Sequence, residues 1–167
     1  MDPHRFFRLA VPAVLLVVPA ACGGSGGGGR PVDVTAGEYA FRGLPETLEA
    51  GDTTFSIDNQ GREVHEIHVF RLSGDLGSVS ELLDKSLDEA QDKMTSVGMV
   101  SADPGDKQSF DADLAAGRYA AVCLIPTGTF PEEGHSGHDM EEMEDMVFDP
   151  NADTHMRRGM FAEFTVG

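Results

Sequence analysis

Gly117-Arg118-Tyr119-Ala120-Ala121-Val122-Cys123 is the stretch that decides the fold, because a predicted strand runs directly into a lone thiol. The chain has only two cysteines, and the other, Cys22, belongs to a different motif near the N-terminus. Three further candidate ligands are spread along the chain: His65, His155 and Met160. One thiolate, two imidazoles and one thioether favour a single copper ion with one-electron chemistry, since sulfur stabilises Cu(I) while imidazole keeps Cu(II) acceptable.

Alternation of apolar and polar residues on both sides of this stretch predicts a mostly β domain. Phe55 and Ile57, for example, alternate with polar neighbours as in a half-buried strand. The predicted strands are residues 32–41, 53–58, 64–72, 107–114, 118–124 and 160–166. About seven short strands of this kind, interrupted by one helix, predict an all-β Greek-key β-sandwich.

The same alternation predicts which way the candidate ligands point. His65 shares a face with Ile67 and therefore faces the core, while Glu66 and His68 are expected to point outward. Met160 begins a strand whose alternate residues are apolar, so it is expected to face inward as well.

One helix is predicted between the third and fourth of these strands. Ser78-Val79-Ser80-Glu81 fits a capping box. Apolar residues recur after it at helical spacing: Val79, Leu82, Leu83, Leu87 and Ala90. This apolar stripe predicts packing against the core.

Three segments, in this order, resemble the cupredoxins, the small copper proteins that include plastocyanin and amicyanin. Asn59 to Ile67 is similar to the family's first ligand segment, in which a histidine follows an Asn/Gly turn and opens a strand. Residues 117–123 are similar to the strand that delivers the thiolate, and His155 with Met160 matches the family's His-x4-Met pair. The resemblance covers residues 31–167 and implies a cupredoxin-like domain.

By that resemblance the copper ligands would be His65, Cys123 and His155 in a trigonal plane, with Met160 as a long axial ligand. In familiar cupredoxins the thiolate and second histidine lie a few residues apart, whereas here 31 residues, from Leu124 to Thr154, separate them. A separation of this length weakens the expectation of a rigid, preformed site. His135 or His138 could also take the place of His155.

The insertion, about residues 125–154, has a composition of its own. It is acidic and contains five residues that could form an auxiliary Cu(I) site: His135, His138, Met140, Met143 and Met146. Thioethers are soft enough to hold Cu(I), so one interpretation is a copper-capture loop. The other is a solvated acidic loop whose methionines are incidental.

The N-terminus predicts export. Residues 1–21 combine a basic start with an apolar run too short to span a bilayer, which is typical of a secretory signal. Small residues precede Cys22 as in a bacterial lipobox, so Cys22 is predicted to be acylated; Pro19 departs from that motif, and ordinary cleavage would leave Cys22 free. A Gly-rich linker completes residues 22–30. These features predict a protein at the outer face of the cell membrane or in the periplasm, anchored by lipid alone.

The net charge and the motifs of the chain argue against several classes of partner and enzyme. A formal net charge of −17 argues against nucleic acid and anionic lipid as partners. No His-Glu-x-x-His motif occurs, and the only Gly-x-Ser-x-Gly match, Gly23 to Gly27, lies in the linker. We therefore expect no enzyme.

Three functions remain open. The first is a one-electron carrier that works with a redox partner protein. The second is a copper-capture or delivery protein that uses the insertion and a copper-trafficking partner. The third is a metal-free binding module on the same fold.

Overall fold

Nine β-strands form two sheets in the computed structural model, which describes residues 29–85, 89, 92–131 and 153–167. The first sheet has the order β2-β1-β4-β7 and contains β1 (Arg30–Gly37), β2 (Ala40–Arg42), β4 (Gly51–Asn59) and β7 (Lys107–Leu114). The second has the order β3-β9-β8-β5-β6 and contains β3 (Thr47–Leu48), β5 (His65–Leu72), β6 (Met94–Ala102), β8 (Gly117–Val122) and β9 (Phe161–Val166).

Neighbouring strands are antiparallel except in two places. β1 pairs with β4, and β3 with β9, in parallel. The chain crosses between the sheets on entering and leaving β3, between β4 and β5, between β6 and β7, and between β7 and β8. The predicted all-β Greek-key β-sandwich is confirmed.

The main core lies between the two sheets. Phe55 of β4 is fully buried and stacks on Phe110 of β7 at a centroid distance of 5.4 Å. Tyr119 of β8 stacks on Phe164 of β9, also at 5.4 Å. Burial of each such side chain contributes about 1.5–3 kcal/mol. Cys123 and Met160 belong to this same core cluster, at one end of it.

A second apolar cluster covers the outer face of the five-stranded sheet. Val79 and Leu82, from a 3₁₀ helix over Val79–Asp84, pack there with Phe70, Val122 and Met156. The first part of the predicted helix is thus a 3₁₀ helix, and its apolar residues pack as expected. Ser78 stands at its N-cap, but the hydroxyl bonds Ser80 rather than the helix backbone. Leu87 and Ala90 lie outside the described residues.

Glu66 and His68 lie on the face of β5 opposite Ile67, as predicted, but this covering layer makes the expected exposure to solvent wrong. Glu66 is only 3% exposed, and its carboxylate accepts a hydrogen bond from the Leu124 N–H at 2.9 Å. Burial raises the pKa of Glu66 to about 7. His68 is half-buried, stacks on Phe70 with a centroid distance of 3.9 Å, and pairs with the Ser96 hydroxyl at 2.8 Å.

We predict that His68→Gln makes the metal-free protein less sensitive to acid. Burial lowers the pKa of His68 from 6.5 to about 4, so the folded chain keeps it neutral while the unfolded chain takes up a proton. The stability it contributes is complete above pH 6.5 and is lost as the pH falls toward 4. Between these values wild type should lose up to about 3 kcal/mol more unfolding free energy than the variant.

Urea unfolding followed by circular dichroism at pH 7.5 and pH 4.5 measures this difference. Every other titrating group is common to both proteins and cancels in the comparison. Equal losses of unfolding free energy in the two proteins would contradict the prediction.

Candidate metal centre

Three donor atoms converge at the end of the sandwich where β5 begins and β8 ends. His65, Cys123 and His155 each place one ligand atom within 4.8 Å of the others, and all three are fully buried. The Nδ1 atoms of the two histidines are 3.0 Å apart, and the Cys123 Sγ lies 3.3 Å from the His155 Nδ1. The structure therefore brings together the thiolate and both imidazoles that the sequence singled out, from three separate segments.

A tight turn after β4 sets the position of His65. Asn59 is fully buried and its amide donates to the carbonyl oxygens of Glu63 and Ala102, both at 2.8 Å. Its Oδ1 accepts a hydrogen bond from the Gly61 N–H at 2.9 Å, which closes an Asx turn. One asparagine thereby ties the turn to β6 and places His65 at the first position of β5.

The surroundings of the His65 ring suit a metal ligand. Burial, followed by the charge of His155, lowers the pKa of His65 to about 4, so the ring is neutral at neutral pH, as ligation requires. Its Nε2 is buried and has no hydrogen-bond partner among the described residues. When Nδ1 ligates a metal, Nε2 is the atom left to carry the proton. The donor set and the neutral ring agree with a candidate copper site.

Cys123 follows directly after β8. Its N–H donates to the Met160 carbonyl at 3.1 Å, and its Sγ accepts a hydrogen bond from the Glu66 N–H at 3.4 Å. Burial, with a smaller contribution from the Glu66 carboxylate, raises the pKa of the Cys123 thiol far above its ordinary value. In the metal-free chain Cys123 is therefore a protonated thiol, and a bound cation has to displace that proton.

The two ends of the long insertion are joined by backbone hydrogen bonds. The His155 N–H donates to Ile125 at 2.9 Å, the Met156 N–H to Cys123 at 2.8 Å, and the Thr127 N–H to Asp153 at 2.8 Å. The Arg158 Nε donates to the Asp153 carboxylate at 2.9 Å, which adds an ion pair at the same place. Cys123 and His155 are thus held side by side although 31 residues separate them. The expectation that the insertion weakens a preformed site is not met in the described structure.

Glu63 contacts His155 from the side away from the other donors. The Glu63 Oε2 lies 3.0 Å from the His155 Nε2 and also accepts a hydrogen bond from the Gly128 N–H at 2.6 Å. The Tyr39 hydroxyl donates to the other carboxylate oxygen at 3.4 Å. Burial acts to raise the pKa of Glu63, but the hydrogen bonds from His155, Gly128 and Tyr39 lower it overall.

Glu63 was not predicted from the sequence. The only signal in the sequence is a carboxylate two residues before a candidate ligand, which is common without any such role. Tyr39 was missed as well: its ring packs edge-on against His155 at a centroid distance of 5.2 Å, and its backbone has a φ of 61°. A positive φ at a tyrosine is unusual and is maintained here beside the site.

Met160 is fully buried, and its N–H donates to the His155 carbonyl at 2.9 Å. The residues between the two form a 3₁₀ turn, Met156–Arg158, that ends at Gly159 with a φ of 102°. That left-handed conformation favours glycine, so Gly159 turns the chain back and places Met160 immediately before β9. Met160 lies in the same core cluster as Cys123, as its position in the sequence predicts.

Several predicted features fall on residues that the structure does not describe. These are the signal peptide of residues 1–21, Cys22, and the auxiliary set His135, His138, Met140, Met143 and Met146. Among the described residues, no helix has both the length and the apolar character needed to cross a bilayer.

Comparison with solved structures identifies similar folds. The chain matches dithionite-reduced auracyanin from the photosynthetic bacterium Roseiflexus castenholzii with a TM-score of 0.51 and 15% identity, over 84% of this chain and 99% of that one. It also matches auracyanin B with a TM-score of 0.44 and 18% identity, over 84% of this chain and 96% of that one. A third match is auracyanin A of Chloroflexus aurantiacus, described as a "blue" copper protein, with a TM-score of 0.46 and 16% identity, over 82% of this chain and 99% of that one. No family model matches the sequence, and no curated protein does. The first match confirms the cupredoxin-like β-sandwich fold.

We predict that Gly61→Ala weakens copper binding because there is no space for a methyl group beside the ligand. A Cβ at this position would lie 2.7 Å from the His65 Nε2 and 2.9 Å from the Glu38 Oε1, so the imidazole has to move. Displacing a ligand ring through its surroundings costs about 10- to 100-fold in metal affinity.

Competition with a chelator of known affinity measures the loss. Gly74→Ala is the matched control, since a Cβ there would meet nothing within 4 Å. If both variants keep the wild-type affinity, the Gly61 contact does not constrain the site.

Proposed function

We propose that the chain is an exported one-electron carrier in which His65, Cys123, His155 and Met160 would hold one copper ion. The convergence of three buried donors within 4.8 Å is the observation that carries this proposal. One soft thiolate beside two imidazoles is typical of electron-transfer copper sites, and a buried thioether completes that set.

Bound copper would supply the Cu(II)/Cu(I) couple. The residues of the chain supply the rest: neutral imidazoles that present their Nδ1 lone pairs, and a thiol that gives up its proton on loading. The Glu66 N–H at 3.4 Å from Sγ stabilises the thiolate charge. Because the donors are packed in the core, their positions are set before any ion arrives, and water is excluded from them.

Features of the sequence support the proposed location of the protein and its partner. The signal of residues 1–21 and the lipobox at Cys22 support a lipid-anchored protein at the outer face of the cell membrane or in the periplasm. An electron carrier needs a redox protein as its partner, and a net charge of −17 disfavours nucleic acid and anionic lipid surfaces. The function is electron transfer and not catalysis.

Copper capture or delivery is the second candidate, and the His/Met composition of residues 125–154 favours it. A spectrum recorded during a Cu(II) titration, followed by a Cu(I) titration, separates the candidates. One equivalent with intense visible absorption supports the electron carrier. Colourless uptake of Cu(I) supports the copper-handling protein, and no uptake leaves a metal-free binding module.

We predict that Cys123→Ser removes the thiolate-to-copper absorption and most of the copper affinity. Sulfur is the donor responsible for both, and a hydroxyl replaces it poorly for Cu(I). Cys22→Ser, which changes the chain's only other cysteine, should keep the colour. Visible absorption and circular dichroism together distinguish loss of the ligand from loss of the fold; wild-type colour in Cys123→Ser would show that the site is assigned wrongly.

We also predict that Met160→Leu keeps the copper bound and raises its reduction potential. Leucine fills a similar volume in the core, so the change removes a weak donor that favours Cu(II) without opening a large cavity. Voltammetry measures the potential, with Met99→Leu in β6 as the matched control. A potential equal to that of wild type would mean that Met160 is only a core residue.

A further inference from the structure

The His155 Nε2 faces a carboxylate that is not one of the four proposed ligands. Glu63 accepts hydrogen bonds from the His155 Nε2 at 3.0 Å and from the Gly128 N–H at 2.6 Å, both on Oε2. Its side chain is 12% exposed and His155 is not exposed at all. A contact this enclosed is screened weakly by solvent and salt.

The position of Glu63 is set independently of His155. Its carbonyl oxygen accepts a hydrogen bond from the buried Asn59 amide at 2.8 Å, and the neighbouring Val64 N–H donates to Thr129 at 2.9 Å. The backbone of Glu63 is therefore held by the turn after β4 and by the start of the insertion. The carboxylate itself has two partners besides His155, the Gly128 N–H and the Tyr39 hydroxyl.

This arrangement decides which nitrogen of His155 carries the proton. A carboxylate accepts hydrogen bonds only, so in the neutral ring the proton lies on Nε2 and the lone pair on Nδ1. The Nδ1 is the atom that lies 3.0 Å from the His65 Nδ1 and 3.3 Å from the Cys123 Sγ. Without Glu63 the imidazole could take either tautomer, and only one of them can ligate at this position.

We propose that Glu63 is a positioning residue of the copper site, which locks His155 in its ligating tautomer and, through its negative charge, favours Cu(II) over Cu(I). The inference rests on the proposed copper function. A carboxylate bonded to a ligating imidazole increases the electron donation of that ring, and the state with more positive charge gains most from it. Glu63 therefore lowers the reduction potential of the site.

Two substitutions separate the effect of Glu63 on the His155 tautomer from the effect of its negative charge. Glu63→Gln keeps one acceptor oxygen for both the His155 and Gly128 bonds, and its amide can donate to the Tyr39 hydroxyl, so only the charge is lost. Glu63→Leu removes both the charge and the acceptor. Glu46→Gln is the charge control: the Glu46 carbonyl oxygen bonds the Thr165 N–H, at the far end of β9 from Met160.

The experiment measures the Cu(II) and Cu(I) affinities of the full chain and its variants by chelator competition. We expect Glu63→Gln to lower the Cu(II) affinity relative to the Cu(I) affinity about tenfold, which is about 59 mV for a one-electron couple. Glu63→Leu should lose about 10- to 100-fold in Cu(II) affinity. Glu46→Gln should leave the ratio of the two affinities unchanged.

A second readout needs no copper. The ¹⁵N shifts of His155 in the metal-free chain should report the Nε2–H tautomer in wild type and in Glu63→Gln, and a mixture of tautomers in Glu63→Leu. An unchanged affinity ratio in both Glu63 variants, with a single tautomer in Glu63→Leu, overturns the proposal and leaves the copper function intact. A wild-type chain that takes up no copper overturns the copper function and the effect on potential, while the ¹⁵N shifts still decide whether Glu63 locks His155.

Discussion

The site depends on the backbone hydrogen bonds that join the two ends of the long insertion. Lengthening a loop from about four residues to about 31 adds about 2 kcal/mol of closure entropy. Backbone bonds contribute about 1 kcal/mol each, and those linking His155 to Ile125 and Met156 to Cys123 lie directly at the donors. The cost of the insertion is therefore offset by hydrogen bonds where it begins and ends.

The strands could be predicted from sequence where one face alone is buried. The alternation in 53–58 predicts most of β4, but β6 was missed because Met94–Ala102 is a half-buried edge strand without a regular apolar pattern. The glycine at position 98 in β6 is explained only by the packing, since a Cβ there would lie 2.6 Å from the Phe110 ring. The outward prediction for Glu66 failed for a related reason: alternation separates two faces but does not show that a second layer covers the outer one.

The candidate ligands could be selected from the sequence because their residue types suit copper and occur in three segments in the expected order. A lone cysteine or a His-x4-Met pair would each be a weak signal without the others. Glu63 has no such signature. Its role arises from the approach of Gly128 and His155, which lie 65 and 92 residues further along the chain. A residue that acts through another is found only when the tertiary contacts are known.

Burial restricts the movement of the donor side chains, which exposed ligands would keep. His65, Cys123 and His155 are packed among core side chains, so an added or removed electron cannot be accommodated by large ligand movements. The polar groups that respond to the charge are few and fixed: the Glu66 N–H at the sulfur and the Glu63 carboxylate at His155. A site with rigid donors and fixed surrounding dipoles loses little energy to rearrangement when its charge changes, which is what one-electron transfer requires. Copper capture instead requires ligands that can open to admit and release an ion, and in this chain those would have to come from the insertion rather than from the core.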